Sequence, residues 1–204
     1  MAASDYISSS DLKDALSLTG ETFADTVLAR AVTAASRAVD DVTDRRFYPD
    51  DDANQVRYYS PVDDCRVWID DLITLTAFET DPGGDGTFQD SWTEVRDFYL
   101  EPFNAPADNE PYRSIRVSPR TALYLPVFYP RSVKVTGKFG WSAVPAGIAQ
   151  ATGMIAAKLV KRIREAPFGV IAGLVADTSV AVQVTRQDPD IMGLLNGFRR
   201  DWEL

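Results

Sequence analysis

The chain has 204 residues, 25% charged and 45% hydrophobic, with 12 Gly and 12 Pro, which is the length and balance of one globular domain or one domain with an insertion. A single Cys, Cys65, excludes an internal disulfide framework, and the lack of any His excludes Ser–His and Cys–His catalysis, His-ligated zinc and His-based pH switching. The net charge of −9 argues against gripping nucleic-acid phosphates and, beyond serving solubility, would repel DNA from a nearby wall.

That charge is uneven. Residues 1–50 hold 9 acids and 5 bases, residues 51–140 hold 15 and 9, and residues 141–204 hold 6 and 7. No apolar run reaches membrane-spanning length, and Met1–Ser10 lacks the basic and apolar regions of a signal peptide, so the expectation is a soluble protein made inside the cell.

Residues 8–20 read as a short helix capped by Ser10, with Leu12, Ala15 and Leu16 on its apolar side and Gly20 ending it. Residues 22–46 read as a long helix. Thr22 and Asp25 have capping-box spacing, Phe23, Val27, Ala31, Ala35, Val39 and Val42 share a face, and Arg45 and Arg46 fall in the last turn.

From 55 to 140 helical periodicity gives way to β-type stretches: Val56–Tyr59, Arg66–Ile69, Leu72–Phe78, Phe98–Glu101, Tyr112–Val117 and Ser132–Phe139. Turn residues separate them, notably Asp81-Pro82-Gly83-Gly84-Asp85-Gly86. Val133, Val135, Gly137 and Phe139 alternate with Lys134, Thr136 and Lys138, the pattern of a half-buried strand.

Helix returns over 144–165, with Pro145 suited to its first position and Ile148, Ala151, Thr152, Ile155, Leu159 and Ile163 on one side. Residues 166–177 are apolar without a clear period. Residues 179–185 alternate through Val180, Val182 and Val184, which predicts a strand, and Asp188-Pro189-Asp190 opens a final helix. The predicted fold is α+β: a helical bundle formed by N- and C-terminal helices with an inserted antiparallel β subdomain. Its parts are residues 1–50, 51–141 and 142–204, and the 22–46 and 144–165 helices close on each other.

Chemistry is sparse. The 81–86 loop faintly suggests calcium, yet Gly83 stands where a ligand is wanted and Trp92 replaces the bidentate Glu, so a plain hairpin turn is preferred. The acid groups Asp63/Asp64, Asp70/Asp71 and Asp40/Asp41/Asp44 do not set two carboxylates across a sugar, because neighbours on a strand point to opposite faces. Cys65 has no base to activate it and reads as a small, partly buried residue. Phosphate-cradling glycine motifs are missing. Tyr58, Tyr59, Trp68, Trp92, Phe98, Tyr99, Tyr112, Tyr124, Phe128 and Tyr129 concentrate in the insertion, as the core of a small sheet or as a binding surface for sugar or protein.

Two segments read as interaction elements. The apolar stretch with Phe168, Val170, Ile171, Leu174 and Val175 is covered by its own subunit or by another. The last helix combines Leu194, Leu195, Phe198, Arg199, Arg200 and Trp202, with the residue types of interface anchors.

The pattern as a whole resembles the head–tail connector (adaptor) proteins of long-tailed bacteriophages, of the actinobacteriophage type. Four places carry the likeness: Leu72–Phe78 with Asp81, Gly84, Asp85, Gly86, Trp92 and Thr93; Phe98–Pro102 with Pro111, Tyr112, Ile115 and Arg116; Val133, Val135, Thr136, Gly137, Phe139, Gly140 and Trp141 with Val144, Pro145 and the helix ending in Lys161-Arg162; and Val184, Arg186, Asp188, Pro189, Asp190, Leu194, Leu195, Arg199 and Arg200. All are scaffold motifs.

The resemblance implies a structural protein with no catalytic residues, cofactor or metal. It implies a homo-oligomeric ring, typically dodecameric, docked under the portal protein and extending the DNA channel, with a platform for a stopper or tail-completion protein. DNA would pass without specific binding, no membrane would be involved, and the location would be the virion, with host cytoplasm during assembly. Portal contact falls on the C-terminal segment: Asp188, Asp190, Leu194, Leu195, Phe198, Arg199, Arg200 and Trp202. Subunit contact falls on Phe168, Val170, Ile171, Leu174 and Val175, because a ring needs two different patches meeting head to tail. The competing readings are a stopper or tail-completion protein of the same neck and, from another class, a carbohydrate-binding module or hydrolase using the acids and aromatics of the insertion.

Overall fold

The computed structural model describes residues 4–16, 25–165 and 177–200. Among the described residues it holds five helices and a six-stranded antiparallel sheet, an α+β fold. The chain divides into two compact units, Met1–Phe47 with Val144–Leu204, and Tyr48–Ala143.

In the helical unit, α1 spans Ser9–Ala15. Its cap is Ser8, not Ser10. The Asp11 amide donates to Ser8 Oγ at 3.1 Å and the Ser8 amide donates to Asp11 Oδ2 at 3.0 Å. Asp11 lies three residues past Ser8, the spacing that lets each side chain reach the other's backbone.

Helix α2, Asp25–Thr43, is the centre of the unit. Leu28, Ala31, Val32, Ala34, Ala35, Ser36, Ala38, Val39, Val42 and Thr43 are all buried, a far wider band than one stripe. Helices on several sides explain this: α2 packs against α1, against α3 (Ala146–Glu165) and against α4 (Thr178–Gln187) and α5 (Pro189–Asn196). Its four buried alanines let those backbones approach. Asp44, at φ 54°, ends the helix ahead of Arg45 and Arg46, which therefore lie outside its last turn. Thr22 and Phe23 lie outside the described residues.

Helix α3 begins at Ala146, with the Pro145 carbonyl accepting from the Ile148 and Ala149 amides at 3.0 Å. Ile148, Ile155 and Leu159 are fully buried, each contributing about 1.5–3 kcal/mol of apolar burial.

The segment expected as a strand at 179–185 is helix α4. Ala181, Val184 and Thr185 are buried at helical spacing, and Thr185 Oγ1 donates to the Ala181 carbonyl at 2.8 Å. Valine alternation was a false period. Burial against α2 and α3 selects the helix, because tertiary packing overrides weak local propensity. Helix α5 starts as read: Asp188 Oδ1 accepts from the Asp190 and Ile191 amides at 2.9 and 3.2 Å, with Pro189 in the first turn.

In the sheet unit the strands are β1 Gln55–Tyr59, β2 Arg66–Thr80, β3 Asp90–Ser91, β4 Phe98–Glu101, β5 Tyr112–Val117 and β6 Val133–Phe139, in the order β1-β6-β2-β5-β4, with β3 on the end of β2. The two stretches expected at 66–69 and 72–78 are one strand. Its first half pairs with β5 (Val67 opposite Ile115) and its second with β6 (Phe78 opposite Val135), with register shifts on both ladders. Those bulges bend β2 enough to serve two partners.

Gly137 sits at such a bulge, where a Cβ would lie 2.3 Å from the Thr74 carbonyl oxygen, so only glycine fits. The inward face carries Val67, Ile69, Leu72, Phe78, Phe98, Leu100, Ile115, Val133, Val135 and Phe139, joined by Trp92 and Leu125. Trp92 meets Phe78 at 5.0 Å between ring centroids, and its indole N–H donates to Thr80 Oγ1 at 2.9 Å.

Candidate functional site

The C-terminal segment is anchored in the helical unit. Ile191 and Leu195 are fully buried there, and Leu194 is half-buried. Phe198 stacks edge-on against Phe47 at 5.7 Å and covers Gly147. The Arg200 amide donates to the Thr43 carbonyl at 3.0 Å, beside the end of α2. Among the residues expected to contact a partner, Asp190 and Arg199 are exposed, whereas Leu195 faces its own core. Trp202 lies outside the described residues, as do Phe168, Val170, Ile171, Leu174 and Val175.

A shallow cleft of about 570 Å³ opens between α3 and the start of α5. Lys158, Lys161 and Arg162 line one side, and Asp188 and Asp190 the other, over Val184 and Pro189. Lys158 forms an ion pair with Asp188, the same carboxylate that caps α5.

Sequence reasoning missed a buried polar cluster on α2. Tyr6 is buried, and its hydroxyl donates to Asp40 while accepting from the Phe47 amide at 3.0 Å. Burial pushes the Asp40 carboxyl up to about 6, although the Tyr6 hydroxyl, Arg37 and Arg46 all pull it down. Burial, with the neighbouring Asp40 charge, likewise pushes the Tyr6 hydroxyl well above its ordinary range. The available signal was a polar row on α2: Thr33, Ser36, Arg37 and Asp40 recur at helical spacing opposite an N-terminal segment of mixed polarity.

In the sheet unit some aromatics are core and others are exposed. Trp92 and Phe98 are core. Phe128 is 91% exposed, Phe103 75% and Tyr124 56%, and Tyr58, Trp68 and Tyr129 are exposed as well. Tyr58 packs on Phe88 at 5.6 Å, with the Arg131 guanidinium 5.1 Å above the Tyr58 ring. Lys134 lies near Phe88 and pairs with Glu79 at 2.8 Å. The result is an outward-facing group of aromatic and cationic side chains, the types that anchor protein interfaces.

The acids are engaged in structure. Asp81 is buried and accepts from the Gly83, Gly84 and Gly86 amides at 3.1, 2.8 and 2.7 Å, so it organises the hairpin turn rather than facing a cation. Asp70 pairs with Arg57 at 2.8 Å, while Asp71 is buried and accepts from the Trp141 indole N–H at 3.0 Å. Asp97 accepts from Arg96, the Thr93 amide and Thr121, which together hold its carboxyl below the usual range.

Cys65 is exposed, not partly buried, because it sits in the turn ahead of β2. Its thiol is pushed up by a hydrogen bond to Asp64 and by that residue's charge. Asp63, Asp64 and Cys65 bring their ligand atoms within 4.8 Å of one another, all in exposed positions. Among the described residues, no helix is long and apolar enough to cross a membrane.

Neither a protein-family model nor a curated protein sequence matches this chain. Solved structures do. The fold is shared with a protein from a gene transfer agent neck. That chain, from the neck of an empty particle with C6 symmetry, superposes with a TM-score of 0.52 at 18% identity, covering 98% of this chain and 92% of its own length. Chains from the neck of the native particle with C12 symmetry and from the native virion superpose at TM-scores of 0.49, with 17% and 19% identity. At 18% identity the first of these likenesses establishes a shared architecture over 98% of this chain.

Proposed function

We propose that this chain is a structural protein of the head–tail neck of a phage or phage-like particle, and within it the adaptor that forms a ring beneath the portal. The observation that carries this reading is the fold match over 98% of the chain to a protein of a six-fold symmetric neck. A ring of twelve subunits satisfies that symmetry. The scaffold motifs that resemble head–tail adaptors run through the same length of chain.

The physical properties support the role. The sheet unit, residues 48–143, holds 16 acids against 9 bases. Repeated around a channel, that net negative charge repels DNA phosphates and lets the duplex slide without adhering. A closed ring needs two unlike patches on each subunit. The exposed Phe128, Tyr58 and Arg131 suit one of them, and the C-terminal segment with Asp190 and Arg199 suits contact with the portal.

Electron microscopy of particles carrying this chain with a density label tests the proposal. A labelled ring touching the portal is expected. A ring separated from the portal by another protein would make the chain a stopper or tail-completion protein, and its absence from the particle would overturn the neck reading. Truncation at Asp188 would strip Ile191 and Leu195 from the core, so the portal contact is better probed at exposed positions. Asp190→Lys and Arg199→Glu are expected to weaken portal binding while the chain stays folded.

A further inference from the structure

The N-terminal segment Ser4–Ile7 lies along one row of α2. The Arg37 guanidinium donates to the Ser4 carbonyl at 2.8 Å, and Thr33 Oγ1 donates to Asp5 Oδ2 at 3.0 Å. The Tyr6 amide donates to Ser36 Oγ at 3.1 Å, and the Tyr6 hydroxyl donates to Asp40. Four rungs thus fall on Thr33, Ser36, Arg37 and Asp40, each one turn or less from the next. A fifth bond leaves the row: the Phe47 amide donates to the Tyr6 hydroxyl at 3.0 Å.

Phe47 is where this strap meets the other end of the chain. Its buried ring is met edge-on by Tyr6 at 5.8 Å and by Phe198 at 5.7 Å. Two residues past Phe198, the Arg200 amide is bonded to Thr43. The strap therefore fixes Phe47, and Phe47 with Thr43 fixes the turn after α5.

We propose that the strap Ser4–Ile7 is a latch, with Tyr6 as its positioning residue, that holds the C-terminal turn Gly197–Arg200 on its own bundle. Opening the latch frees the turn for an external contact. The bearing on portal docking rests on the function proposed above; the latch itself does not.

Tyr6→Phe keeps the ring and removes both hydroxyl bonds. In the full chain, hydrogen exchange at Phe198 and Arg200 is expected to speed up on the order of tenfold, as loss of buried hydrogen bonds allows. Exchange within α3 at Ile155–Leu159 and in β6 should stay at the parent rate. Thr33→Val cuts the Asp5 rung, which involves neither Tyr6 nor Asp40, and should speed exchange in the strap more than in the turn. A double-mutant cycle of Tyr6→Phe with Phe198→Leu should be non-additive.

If strap amides exchange faster while Phe198 and Arg200 keep the parent rate, or if the cycle is additive, the latch is wrong. If the turn loosens but portal binding is untouched, the latch stands and the docking role falls.

Discussion

Replacing Asp40 by an asparagine should change how stability depends on pH, and the size of the change follows from the site. The Asp40 side chain is only 14% exposed, and burial raises its carboxyl from the ordinary value near 3.9 to about 6. Between those values the folded chain keeps a proton that the unfolded chain has released. Stability from this group is therefore fully present below the unfolded value and is lost as pH rises through 6. The full difference is about 3 kcal/mol, of which about 2 kcal/mol falls between pH 4 and pH 7.

The amide introduced by Asp40→Asn has no such proton. Urea unfolding of the parent and of the variant at pH 4, 5, 6 and 7 isolates the effect, because every other carboxylate cancels in the comparison. Relative to its parent, the variant should gain about 2 kcal/mol between pH 4 and pH 7, whatever their offset at pH 4. A difference constant to within about 0.5 kcal/mol across that range would refute the reasoning, since an exposed or fully compensated carboxylate predicts that result.

Other outcomes follow from individual residues. Gly140 has φ 101°, and a Cβ there would lie 2.1 Å from the Tyr48 carbonyl oxygen. Gly140→Ala should cost about 2–5 kcal/mol in denaturant unfolding, the strain of a left-handed residue plus a forced backbone shift. Cys65, raised by Asp64, should react with iodoacetamide at pH 8 more slowly than a free thiol, and Asp64→Asn should speed the reaction. Phe128→Ala should leave unfolding within about 0.5 kcal/mol of the parent because the ring is in solvent. If the chain is the neck adaptor proposed above, the same change should weaken ring assembly on the order of tenfold, measured by sedimentation of the chain mixed with its portal.

What the sequence disclosed depended on how local the determining interaction is. β6 was legible because its alternation directly reports which side chains face the core, from Val133 to Phe139. The start of α5 was legible because Asp188 caps amides two and three residues away. The expected stretches 66–69 and 72–78 leave out Asp70-Asp71, which the structure places inside the single strand β2. The partners of these two acids, Arg57 and Trp141, stand 13 and 70 positions away, beyond any sequence window. The valines of α4 imitated a strand, and only contact with α2 and α3 decides otherwise. The Tyr6–Asp40 cluster was hidden for a similar reason: its members are 34 residues apart.

The long, doubly partnered β2 has a consequence for how this protein can vary. A one-residue deletion at its midpoint would swap inside for outside along half of its length, spoiling either the β5 or the β6 ladder. Neither half of the sheet can be lost alone, so melting of this unit should be all-or-none. Size changes are better tolerated in the exposed stretch from Pro106 to Glu110, where no ladder counts residues.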